Sequence, residues 1–363
     1  MVERVSSRAG KDKTDAVDAA SPLAAKRKPA KPVARAGYSK KTIALVYDFD
    51  GTLSPRPMQE YSFLPQLGIP AAEFWDECTR VARTENADPL ITYMHLMYKK
   101  AKDKGLRIDR DALVKQGRSV ELYPGVEKWF DAIHAYVKRQ GSARDEGRDS
   151  TDDEITVKHY LVSSGLTEII EGTKIYKHFA NVFASEYWFD AYDLPFPKRV
   201  ITDTGKTQYL FRINKGIENH FESINAHMPE TARPIPFANM IYFGDGETDV
   251  PSMALLKKNG GSAIAVHDPA AGENAGVLAQ SPSPGRGGVR GGVNGHDESR
   301  SSAASRAAHS GQQKCIELFR AGRCDFYAGA DYRKGSDLWK RTALLLDSII
   351  ANIRVRQEAA GLG

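Results

Sequence analysis

Long apolar runs are missing from this chain. No stretch approaches the roughly 18 consecutive apolar residues that a bilayer-spanning helix needs, and residues 1–40 carry no apolar segment of the kind that opens a secretory signal. The expectation is no membrane association, with the cytoplasm as the compartment. Cysteine is scarce: Cys78, Cys315 and Cys324 are odd in number and have no C-x-x-C spacing, which excludes a disulfide framework and a thiolate metal site. The body of the chain also lacks an excess of charge of either sign. The formal net charge of +5 arises in residues 1–41, with eleven Lys/Arg against four Asp/Glu, while the rest holds 40 against 42. A nearly neutral body gives no argument for a nucleic-acid-binding fold.

What is present, 363 residues at 41% hydrophobic content, is enough for a sizeable core. Residues 1–40, rich in Ala, Lys, Pro, Ser and Asp, bury too little apolar surface to offset ordering and read as a disordered basic tail. Residues 141–154 form a charge-dense polar loop insertion. Residues 270–313 read as a disordered Gly/Ser/Arg-rich insertion, in which Arg286-Gly287-Gly288 and Arg290-Gly291-Gly292 resemble RNA-binding repeats in only two copies.

Between these segments, strands alternate with helices, which argues for a parallel sheet. Apolar runs at 43–46, 160–162, 182–184, 240–243 and 263–266 read as buried strands, with a hairpin-like stretch from Trp188 through Phe196 and a last short strand at 325–327. Helices are expected within 70–105, over 109–117, from Val126, over 166–179, and in a closing segment capped by Ser336. The helices of 57–120 are too extensive for a simple crossover and form an inserted subdomain on a core of 41–56 and 121–353.

The strand ends carry the chemistry. Tyr47-Asp48-Phe49-Asp50-Gly51-Thr52-Leu53 follows the first apolar run, at the end where open α/β sheets bind ligands. Asp48 and Asp50 would share a face of an extended segment, suggesting a metal site or an acid/base pair; Asp-Gly is equally a common turn. Gly244-Asp245-Gly246-Glu247-Thr248-Asp249 supplies a second pair of acids at a second strand end, with Asp249 also placed to cap the helix opened by Pro251. If these two strands are neighbours, Asp48, Asp50 and Asp245 converge as hard oxygen ligands of the kind that suit Mg²⁺. Ser163 ends another apolar run ahead of a Ser-Gly turn, where its hydroxyl can hold a phosphate oxygen or cap a helix. Lys206 lies in Thr204-Gly205-Lys206-Thr207. Val200 stands where a P-loop needs its first glycine, so that motif fails.

In order, Asp-x-Asp-Gly-Thr, the strand-end Ser, the loop Lys and Gly-Asp-x-x-x-Asp resemble the haloacid dehalogenase (HAD) superfamily, and within it the phosphoserine phosphatase-like hydrolases. The resemblance covers about residues 42–350 apart from the two insertions. It implies an α/β fold, a Rossmann-like parallel sheet core with an inserted α-helical cap, and a Mg²⁺-dependent phosphatase acting on a small phosphorylated metabolite. Asp48 would be the nucleophile that becomes an aspartyl-phosphate, and Asp50 the general acid/base. Ser163 and Lys206 would bind the phosphate. Asp48, the carbonyl of Asp50 and Asp245 would hold Mg²⁺, with Asp249 in the outer shell. Lys206 is preferred over Lys174, Lys198 and Lys215, and Ser163 over Ser164. Glu60, Arg83 and Glu85 are charged cap positions for substrate contact, although surface charge explains them as readily. A phosphomutase shares all of these residues. A non-catalytic nucleic-acid-binding scaffold, using the basic tail or the Arg-Gly repeats, is the alternative from another class.

Overall fold

The computed structural model describes residues 40–142, 154–189, 195–269 and 311–361. The basic tail, the interior of the polar loop and nearly all of the Gly/Ser/Arg-rich insertion, including its Arg-Gly repeats, lie outside them.

Seven strands form one sheet: β1 (Thr42–Tyr47), β2 (Thr156–Leu166), β3 (Phe179–Phe189), β4 (Pro195–Arg199), β5 (Met240–Gly244), β6 (Ser262–His267) and β7 (Phe326–Gly329). Their order is β4-β3-β2-β1-β5-β6-β7. Every pairing is parallel except β3 with β4, which closes the expected hairpin. The central strand β1 is buried throughout, which is why it reads as a continuous apolar run and not as an alternation. Its residues sort by period two onto opposite faces. Ile43, Leu45 and Tyr47 join one core with Trp129, Phe130, Leu338 and Ile349. Ala44 and Val46 join the other with Leu210, Ile213, Met253 and Leu256.

The first face is covered by α5 (Val126–Ser142) and the closing helix α10 (Asp337–Gly361); the second by α7 (Lys206–Lys215) and α8 (Val250–Lys258), with a helix α9 over 311–320. The cap comprises α1 (Phe63–Leu67), α2 (Ala71–Glu85), α3 (Pro89–Asp103) and α4 (Arg110–Gln116). Its start signals act as the sequence suggests: Asp88 accepts from the amides of Leu90 and Ile91, Asp109 from that of Ala112, and Ser336 from that of Trp339 in α10. Phe74, Tyr93, Met94 and Leu113 of the cap belong to the same apolar cluster as the first sheet face, so the cap has no separate core. Two tyrosines latch it down. The Tyr93 hydroxyl donates to the Ser164 carbonyl at 3.1 Å, and that of Tyr187 to the Met94 carbonyl at 2.7 Å.

The helix expected over 166–179 is much shorter. Here α6 spans Thr167–Glu171, and β3 already begins at Phe179. Gly172 weakens the helix, and the Thr173 hydroxyl takes the Ile170 carbonyl at 2.7 Å, ending it. Strand β2 is correspondingly longer than its apolar run, reaching Leu166 through an irregular register against β3.

Candidate active site

Strand order reverses at β1, with β2 and β3 to one side and β5 to β7 to the other, and such a switch point opens a crevice at the carboxyl ends of parallel strands. In register, Tyr47 faces Leu161 of β2 and Phe243 of β5. Asp48 follows Tyr47 directly, and Ser163 and Asp245 each lie two residues beyond its partners. The Asp48 amide donates to the Phe243 carbonyl at 2.9 Å, carrying the ladder up to the carboxylate. Gly51 then turns with φ of +78°, and a side chain there would collide with the Asp245 carboxylate. Close approach of these two acidic loops therefore depends on glycine.

Lys206 is the first residue of α7 and is only 1% exposed. Its Nζ lies 2.9 Å from Asp48 Oδ2 and 2.8 Å from Asp249 Oδ1. Asp249 is fully buried, and its position before α8 is not used for capping. Its Oδ1 also accepts from the Tyr242 hydroxyl at 2.7 Å, and its Oδ2 from the Asp245 amide at 3.1 Å. One carboxylate thus fixes the lysine, the β5 tyrosine and the main chain of Asp245. Oxygens of Asp48, Asp245 and Asp249 all lie within 4.8 Å of one another.

Electrostatics follows from this crowding. Burial pushes Asp48 up to about 6 and Asp249 adds to the rise, against the opposing pull of Lys206. Asp245 rises to about 8 through burial and then the charges of Asp249 and Asp48. Asp50 stands well above the carboxylate range through burial and the neighbouring Asp48, with the Met58 amide opposing. Burial disfavours the Lys206 cation, yet Asp249 and Asp48 outweigh it and hold its pKa above the ordinary lysine value. Several carboxylates share one buried cation. That excess of negative charge on hard oxygen donors fits a divalent cation such as Mg²⁺.

Asp50 is in the same loop, its Oδ1 accepting from the Met58 amide at 2.9 Å. Ser163 is 1% exposed, and its Oγ accepts from the Gly165 amide at 3.0 Å, an interaction of the turn-capping kind. Ser164 points elsewhere, donating to the Ile201 carbonyl at 2.8 Å. The competing lysines are committed to other partners: Lys174 to Glu127, Lys198 to Glu186, and Lys215 to the carbonyls of Ile224 and Ala226. In the cap, Glu60 accepts from the Trp75 indole at 2.8 Å, whereas Arg83 and Glu85 lie exposed near the end of α2. Sequence reasoning missed Tyr242 and Met58. A tyrosine inside a buried apolar strand must find a partner for its hydroxyl, a signal that singles out Tyr242; nothing in the local pattern marks Met58.

Among the described residues no helix is long and apolar enough to cross a membrane. No family model matches the chain. An uncharacterized protein of Borreliella burgdorferi is 28% identical over 237 residues, 59% of this chain and 78% of that protein. A HAD family hydrolase from Salmonella enterica serovar Typhi is 16% identical with a TM-score of 0.42, over 65% of this chain and 66% of that one, so the chain spans just under two thirds of that relative. A phosphoserine phosphatase solved with a phospho-aspartyl intermediate analogue is 14% identical with a TM-score of 0.40, over 62% and 86%. The L-2-haloacid dehalogenase of Xanthobacter autotrophicus is 15% identical with a TM-score of 0.33, over 66% and 84%.

Proposed function

We propose that this chain is a HAD-superfamily phosphohydrolase of the phosphoserine phosphatase-like kind, which hydrolyses a small phosphomonoester through an aspartyl-phosphate in the cytoplasm. The observation that carries this reading is the buried bridge of Lys206 between Asp48 and Asp249, set beside Asp245 at the ends of adjacent parallel strands. A lysine buried there serves to organise anionic groups, and the excess of carboxylates calls for a further cation. Mg²⁺ would be held by Asp48, Asp245 and the main-chain carbonyl of Asp50, and when bound it neutralises charge so that a carboxylate can approach a phosphate dianion.

Asp48 attacks phosphorus in line, and the ester P–O bond breaks. Asp50, whose pKa burial and the neighbouring Asp48 raise, delivers a proton to the leaving oxygen. It then takes a proton from the water that attacks the acyl phosphate, releasing inorganic phosphate and restoring Asp48. Lys206 Nζ and Ser163 Oγ hold the equatorial oxygens, while Asp249 keeps Lys206 and the Asp245 main chain in place. A cap latched through Tyr93 and Tyr187, above a nucleophile only 6% exposed, favours a small phosphorylated metabolite over a macromolecule.

The test is a panel of phosphate esters assayed for inorganic phosphate with Mg²⁺, with Asp48→Asn beside the wild type. Phosphate release by the wild type alone supports hydrolysis. Conversion of a sugar phosphate to its isomer without release would indicate a mutase, and inertness toward the whole panel would count against both.

A further inference from the structure

The residue that meets Asp50 from the cap side is Met58, which opens a short 3-10 turn (Met58–Glu60) at the cap entry and is 1% exposed. Its amide donates to Asp50 Oδ1 at 2.9 Å, and its thioether accepts from the Leu166 amide at 3.2 Å. Gly165 makes the fit possible, because a Cβ there would run into the Met58 methyl and sit 3.2 Å from Asp50 Oδ2. One residue is therefore wedged between the carboxyl group and the turn that carries Ser163.

We propose that Met58 is a positioning residue for the acid step, fixing which oxygen of Asp50 carries the proton and where that oxygen points; this rests on the phosphohydrolase reading above. An amide N–H can serve only an accepting oxygen, so Oδ1 is the carbonyl-type atom and the transferable proton belongs on Oδ2. Oδ2 has no protein donor among the described residues and faces the 163–165 turn. The amide does the orienting, and the thioether contact seats the same residue against the segment that carries Ser163.

Two substitutions at this position separate the amide from the side chain. Met58→Ala keeps the N–H and deletes the thioether; Met58→Pro deletes both. The backbone accepts proline, since Pro57 has φ of −49° and ψ of 132°, the extended conformation required before proline, and position 58 is the first of its turn. Both variants and the wild type are assayed with Mg²⁺ on an alkyl phosphate, whose alkoxide needs the proton to leave, and on p-nitrophenyl phosphate, whose leaving group does not; the melting temperature of each is measured in parallel. The expected result for Met58→Pro is a fall in kcat/KM about 10- to 100-fold larger on the alkyl ester than on the aryl ester, with a split under about threefold for Met58→Ala. Equal losses on the two esters, at any size, would overturn the assignment while leaving the phosphohydrolase reading intact. If melting shows Met58→Pro to be unfolded, the backbone-ester analogue at position 58, which replaces the N–H by oxygen and keeps the methionine side chain, carries the same expected split and the same refutation. A wild type inert toward both esters would remove the reading and this inference together.

Discussion

Replacing Lys206 by methionine keeps most of the volume and deletes the charge. Lys206 is 1% exposed and lies 2.9 Å from Asp48 and 2.8 Å from Asp249, so its loss leaves two buried carboxylates facing Asp245 without the cation they share. Breaking a buried pair from one side costs about 3–5 kcal/mol, a large part of the roughly 5–15 kcal/mol that holds a domain folded. The loss should depend on pH. With Lys206 present, Asp48 stands at about 6, above the ordinary aspartate value of 3.8, so its contribution is fully present below 3.8 and is lost as pH rises through 6. Without the lysine the folded value moves higher, the loss continues further up the pH scale, and the deficit of the variant widens above pH ~6. The assay is urea unfolding of wild type and Lys206→Met, followed by tryptophan fluorescence with divalent cations chelated, at pH 5.5 and 7.5. The expected destabilisation is about 3–5 kcal/mol at pH 7.5 and distinctly less at pH 5.5. A loss under about 1 kcal/mol at pH 7.5, or one of equal size at both pH values, would refute the argument that Lys206 holds buried negative charge.

Two further perturbations probe buried ionisable groups beside the site. Glu168 is fully buried, with Oε1 accepting from the Tyr187 amide at 3.0 Å and Oε2 unpartnered, and burial pushes it up to about 7. Its stabilising contribution is present below the ordinary glutamate value of 4.5 and lost as pH rises through 7. Glu168→Gln should therefore be more stable than wild type at pH 8, by up to about 3 kcal/mol, with no such gain at pH 4.5; a urea midpoint unchanged at pH 8 would contradict this. His159, on β2 beside β1, shares a hydrogen bond of 3.0 Å between Nδ1 and the Tyr47 hydroxyl, and its Nε2 has no partner. The Trp129 indole donates to that hydroxyl at 2.9 Å, so Tyr47 gives its proton to a neutral imidazole. Burial, then His134 and His178, depress the His159 pKa well below 6.5, so its contribution is present above 6.5 and lost as pH falls through the folded value. Acid unfolding of His159→Phe should be less steep below pH ~6, and an acid limb superimposing on that of wild type would sink this.

The parallel sheet and its strand ends were legible because a strand buried on both faces leaves an unbroken apolar run, and glycine and acid at its end break that run sharply. Asp48, Asp245 and Ser163 could be placed for that reason. Lys206 was legible only through its Gly-Lys-Thr turn; that it is buried, when lysine is ordinarily a surface residue, follows from the acids that β1 and the loop after β5 bring to it. Asp249 looks like a helix cap from sequence because the cap position and the inward-facing position are the same residue. Tertiary charge decides which is used, and here the lysine, the tyrosine and the Asp245 amide win. The short α6 was obscured because Ile169, Ile170 and Ile175 are all buried, whereas a glycine and a threonine hydroxyl decide where the helix stops. Met58 could not be foreseen: its amide reaches back to Asp50 within the same loop and its thioether meets the Leu166 amide more than a hundred residues away, and neither contact leaves a mark in the local pattern.

The covalent bond proposed between Asp48 and phosphorus can be trapped directly. Enzyme turning over a hydrolysable phosphate ester with Mg²⁺ should be quenched in acid, digested, and its peptides examined for an acyl phosphate. A phosphoryl group is expected on the peptide carrying Asp48, absent from Asp48→Asn, which should also be inactive. Turnover with no label at Asp48, label on another residue, or full activity in Asp48→Asn would contradict it.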